Sequence, residues 1–103
     1  MKGGKGFKVI AEFSIHPVGE GTSLSRFVRE GVKVLKARKG LRLIVTPMGT
    51  VIEAKRLSDI LAAVEAANER LFEAGAERVI ITLRVDDRRD KERLMEDKVA
   101  AVD

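Results

Sequence analysis

The stretch FKVIAEFSIHPVGEGTSLSRFV, residues 7–28, changes its apolar period partway along, and that change decides the fold. Phe7, Val9, Ala11, Phe13 and Ile15 alternate with Lys8, Ile10, Glu12, Ser14 and His16, which predicts a strand over residues 7–16. Pro17 ends its ladder because it has no N–H to donate. Beyond the turn, Leu24, Phe27, Val28, Gly31 and Leu35 recur at helical spacing over residues 23–38. Thr22 or Ser23 fits the N-cap and Gly40 fits the C′ position. The chain therefore opens as a strand, a glycine-bearing turn and a helix.

Working outward, the β-branched run LRLIVT (41–46) and VIEAK (51–55) predict two strands joined by the turn Pro47-Met48-Gly49-Thr50. Leu57, Ile60, Leu61, Val64, Ala67, Leu71 and Phe72 form the stripe of a helix over 57–74, with Ser58 as its cap and Gly75 as its stop. RVIITLRV (78–85) alternates again. After DDRRD, a last helix is expected over 91–102. The order βαββαβ predicts an α+β, ferredoxin-like sandwich: a four-stranded antiparallel sheet with two helices on one face, plus a C-terminal helix. No composition shift divides the chain, so residues 1–103 read as one domain with a flexible leader at 1–6.

Composition narrows the function classes. The chain is 45% hydrophobic and 35% charged, which excludes a disordered segment of low hydrophobicity. It has no cysteine and one histidine, which leaves no thiolate chemistry and no histidine-rich metal site within one subunit. No apolar run is long enough for a membrane span, and the N-terminus has no apolar signal core, so a cytoplasmic protein is expected. The net charge of +4 arises from 20 basic and 16 acidic residues that are interspersed, a weak argument for nucleic acid. The absence of glutamine beside abundant Lys, Arg and Glu suits a heat-adapted source.

The helices must cover the face bearing Val9, Phe13, Ile15, Val79, Ile81 and Leu83. The opposite face is mixed: Ile10, Glu12, Ser14, Ile80, Thr82 and Arg84, with Ile44 or Ile52 nearby. That much isoleucine on an open face predicts cover by an identical subunit, with a homotetramer expected.

Candidate site residues follow from residue type. Free N–H groups at the first helix start, with Thr22, Ser23 and Ser25, can hold an anionic or hydrogen-bonding ligand, although on pattern alone a capped turn with nothing bound explains them better. His16 lacks an identifiable nucleophile or orienting group, so no catalytic residue is assigned. Asn68 lies on the apolar stripe of the second long helix, and its amide needs either a backbone partner or a ligand. Glu53 sits in a strand beside the 47–50 turn, and Glu12 can pair with Arg84 across the sheet.

PVGEGTSLSRFV, GLRLIVTPMGTVIEA, GAERVIITLRVDDRRD and MEDKVAAV, in that order, resemble the small thiamine-binding protein family with the YkoF-like ferredoxin fold, long left uncharacterised. The resemblance spans about residues 8–102, and its most specific pieces are TPMGT followed by Ile52-Glu53, and Arg78-Val79 leading to Asp86-Asp87-Arg88. It implies a non-enzymatic tetramer, without a cofactor, that binds thiamine or its hydroxymethylpyrimidine part. Under that resemblance Glu53 or Glu12 meets the amino group or the cation, Ser and Thr hydroxyls meet ring nitrogens, and Met48 packs on a ring face beside Thr50. His16 and Asn68 complete the expected set. Departures are Asn68 where histidine is common, Arg42 where an aromatic is common, and Ala54 where glycine is frequent.

Two other classes compete. Acyl-phosphate hydrolysis on this fold needs a phosphate cradle and an arginine after the first strand, and no arginine occurs before Arg26. Base-stacking RNA readers need aromatics on the open face, whereas Phe7 and Phe13 fall on the other. A structural or regulatory oligomer with no small ligand also fits the sequence.

Overall fold

The computed structural model describes residues 9–19, 24–90 and 95–102. Its elements are β1 (Val9–Pro17), α1 (Ser25–Ala37), β2 (Arg42–Thr46), β3 (Gly49–Ala54), α2 (Leu57–Glu73), β4 (Val79–Asp87) and α3 (Met95–Val102). The strands form one antiparallel sheet in the order β2-β3-β1-β4, as a ferredoxin-like βαββαβ path requires. Residues 1–6, Phe7 and residues 91–94, the start of the expected terminal helix, lie outside the described residues.

Opposed residues of an antiparallel ladder share a face, so the register sorts the side chains. Phe13 stands between Thr50 and Leu83, Ala11 between Ile52 and Val85, and Ile15 beside Ile81. This is the face that α1 and α2 cover. Phe27, Gly31 and Leu35 of α1 and Ile60, Ala63, Val64, Ala67 and Leu71 of α2 are buried against it. Each large apolar side chain removed from water here contributes about 1.5–3 kcal/mol. Gly31 permits close approach: a Cβ there would stand 3.2 Å from Leu71 Cδ1.

Ile52 belongs to this core and not near the open face, because it is opposite Ala11 and fully buried. Ile44 is the isoleucine of β2 on the open side, opposite Val51 and half-exposed.

The helix ends differ from the expected caps. Leu24, not Thr22 or Ser23, occupies the N-cap position of α1, and its carbonyl accepts from Phe27 and Val28 N–H. Thr22 and Ser23 lie outside the described residues. Arg56, not Ser58, precedes α2, and Ser58 is an exposed residue of its first turn. Gly40 is not the C′ residue of α1, which ends at Ala37 with Arg38 already extended. The stop at Gly75 is as expected. Gly75 N–H donates to Phe72 and Ala76 N–H to Leu71, both at 3.0 Å, which closes the last turn on itself.

Candidate functional site

The β2–β3 hairpin turns on Pro47 and Met48 and leans toward α1. Its turn is held internally: Thr46 Oγ1 donates to the Gly49 carbonyl at 2.9 Å and accepts from Met48 N–H at 3.2 Å. Between this hairpin, the end of β1 and α1 lies a crevice of about 190 Å³. Val28, Val32 and Val45 line its apolar walls. Ser14, Thr46 and Thr50 are among its lining residues, the Thr46 hydroxyl being engaged within the turn, and Met48 stands at its rim, 85% exposed. Thr50 is buried, so its side chain is shielded from bulk water.

Away from the crevice lining, α1 is tied to α2. Arg70 of α2 donates from Nη2 and Nε to Glu30 Oε1 of α1 at 2.6 and 3.1 Å. Those hydrogen bonds, with a further one from Lys33, hold the Glu30 carboxyl below its usual range. The same contact raises the Arg70 guanidinium further.

The open face carries the second group of polar residues. Glu53 is opposite Ile10 on β1 and Arg42 on β2, yet it is fully buried. Arg42 Nη1 lies 2.7 Å from Glu53 Oε1, while its Nη2 lies 2.9 Å from Glu96 Oε2 of α3. One guanidinium thus joins β2, β3 and α3. Glu12 pairs with Arg84 at 2.9 Å across β1 and β4. This is the cross-sheet pair expected from the alternation.

The expected site residues therefore divide. Met48 and Thr50 meet at the crevice. Glu12, His16 and Glu53 are on the open face, with exposed His16 opposite Ile80. Ser25 is exposed as the first residue of α1. Asn68 is half-buried on α2 and does not line the crevice. Val28, Val32, Val45, Ser14 and Thr46 were missed. A signal for them existed in α1, where Val28 and Val32 form a second apolar line beside Phe27, Gly31 and Leu35. Among the described residues no cluster of three or more His, Asp or Glu could hold a metal, and no helix is long and apolar enough to cross a membrane.

Comparison with known proteins places this geometry. A UPF0045 protein of Methanothermobacter thermautotrophicus is 42% identical over 95 residues, covering 91% of this chain and 95% of that protein. The crystal structure of MJ1052 from Methanocaldococcus jannaschii superposes with a TM-score of 0.84 at 38% identity, covering 92% of this chain and 95% of that one. A Thermotoga maritima structure, proposed to act in thiamine biosynthesis or salvage, shares the fold with a TM-score of 0.76 at 22% identity, covering 93% and 99%. A family model described as "Thiamine-binding protein" matches residues 11–103, and the chain belongs to that family.

Proposed function

We propose that the protein binds thiamine or its hydroxymethylpyrimidine part in the crevice between α1 and the β2–β3 hairpin, without converting it. Family membership over residues 11–103 carries this reading. The crevice supports it chemically. Among the described residues its lining offers serine and threonine, a thioether and valine walls but no carboxylate. Such a site suits a flat, neutral aminopyrimidine, whose ring nitrogens accept from hydroxyls, better than it suits a thiazolium cation. The pyrimidine is therefore the part held, with the cationic ring toward the exposed Met48 rim. The proposed setting is the cytoplasm, where such a cofactor or its precursor is available.

Calorimetric titration with thiamine, its phosphates and free hydroxymethylpyrimidine tests this. Heat of binding is expected for thiamine and the free pyrimidine alike, with the ligand recovered unchanged by mass spectrometry. Thr50→Val keeps the shape and removes one hydroxyl, so affinity should fall about tenfold, equivalent to ~1.4 kcal/mol. No heat with any of these compounds, or a chemically altered ligand, would sink the proposal.

The open face belongs to the same reading as a self-association surface, giving a homotetramer. Ile80 and Ile44 are 41% and 44% exposed there. Stacking two such faces would cover both. Ile80→Glu puts an unpaired carboxylate into that contact and should convert tetramer to smaller species in sedimentation. An unchanged sedimentation coefficient would exclude the stacked contact.

A further inference from the structure

The tip of the β2–β3 hairpin sets a thioether at the mouth of the crevice. Met48 shares the crevice lining with Val45 and Thr50, yet most of its surface meets solvent. Its backbone is pinned while its side chain is loose. Met48 N–H donates to Thr46 Oγ1 at 3.2 Å, and that hydroxyl donates to the Gly49 carbonyl at 2.9 Å. The ring of Pro47 fixes φ one residue earlier. The turn therefore cannot carry the sulfur away from the mouth without breaking its own hydrogen bonds. A flexible apolar side chain held there gains burial when a ring fills the crevice. While it waits in water, its sulfur is open to small oxidants without any unfolding. The chain has no cysteine, so no thiol intercepts an oxidant first.

We propose that Met48 is a reversible oxidation site that controls occupancy of the crevice, an inference that rests on the crevice holding a pyrimidine ring. The oxidant is a peroxide. A sulfur lone pair attacks one peroxide oxygen, the O–O bond breaks and an S–O bond forms. The second oxygen leaves as water with both protons; the sulfur gives up two electrons and the peroxide accepts them. The product is methionine sulfoxide, polar where the thioether was apolar. A ring that packs on it must strip water from the new oxygen, and the valine walls at 28, 32 and 45 offer that oxygen no donor in exchange. The soft contact between sulfur and ring face is lost at the same time. Thiol-dependent reduction returns the thioether, so the control is reversible.

The probe is free hydroxymethylpyrimidine, which has no cationic ring to attract the sulfoxide oxygen. The protein is titrated calorimetrically as purified, after hydrogen peroxide, and after repair by both methionine sulfoxide reductases with a dithiol. Peptide mass spectrometry reads the oxygen on Met48. Affinity should fall about tenfold with the sulfoxide and return on repair. Met48→Leu, whatever its starting affinity, should not respond to peroxide, whereas Met95→Leu should respond as wild type does. Excess pyrimidine should slow oxidation of Met48 but not of Met95, a readout that needs no affinity value. Unchanged affinity with Met48 fully oxidised overturns this inference and leaves the ligand reading standing. An equal peroxide response in Met48→Leu, or a loss that repair does not reverse, also overturns it. No binding by the untreated protein sinks the ligand reading and this inference together.

Discussion

Arg42→Ala is expected to lower the unfolding free energy by about 2–4 kcal/mol, more than an ordinary surface substitution. Arg42 is only about a third exposed, and its side chain supplies the cation 2.7 Å from the fully buried Glu53 carboxylate. Removing it leaves a buried charge that has lost this partner, and the cost of desolvation then acts against folding. The solvent that still reaches Arg42 places the effect below that of a wholly buried pair. For a domain of this size the melting midpoint should fall by on the order of 10–20 °C.

A second variant separates this cause from simple loss of packing. Arg42→Ala/Glu53→Leu removes both charges and fills the Glu53 site with an apolar side chain. Replacing a buried pair in this way is commonly neutral or stabilising, so most of the loss should return. Equal melting of the single and double variants would show that Arg42 acts through its aliphatic stem alone. The Glu96 branch of the fork is exposed on both sides, and cutting it by Glu96→Gln should shift the melt little.

The strand and helix pattern was legible because each element keeps one period along its whole length. Phe13 and Ile15 declare the covered face of β1 by alternation alone, and the register with β3 and β4 then carries that assignment across the sheet. The caps were less legible. Ser58 looks like a capping residue, but the chain enters α2 one residue earlier, at Leu57, from an extended Arg56. Glu53 shows where the local pattern stops. The register places it opposite Arg42 and Ile10, away from the helices, yet it is fully buried there beside Arg42, whose other arm reaches Glu96, 43 residues later in the chain. The crevice is likewise a product of how the hairpin leans on α1. Thr50 and Met48 could be named from residue type, but Val28 and Val45 become neighbours only through packing.

Gly49→Ala is expected to cost about 3–5 kcal/mol and to abolish the ligand binding proposed for the crevice, from a change of one methyl group. Gly49 has φ +154°, a backbone conformation that residues with a Cβ rarely adopt. A Cβ built there would lie 2.8 Å from the Phe13 carbonyl oxygen. That oxygen belongs to the central strand β1, which is paired on both sides and cannot retreat. Strain at φ and the clash therefore add, and the hairpin must lift from β1 to relieve them. Lifting it pulls Thr46, Met48 and Thr50 away from α1, so the crevice opens as the fold weakens. Gly40→Ala makes the comparison clean: its φ is +84°, but nothing stands within 4 Å of the added Cβ. It should show only the conformational cost, about 1 kcal/mol, and retain ligand binding. Chemical denaturation of the two variants, with titration of each folded protein, distinguishes the two terms. Equal losses in both would mean that φ alone matters and that the contact with Phe13 relaxes without effect on the hairpin.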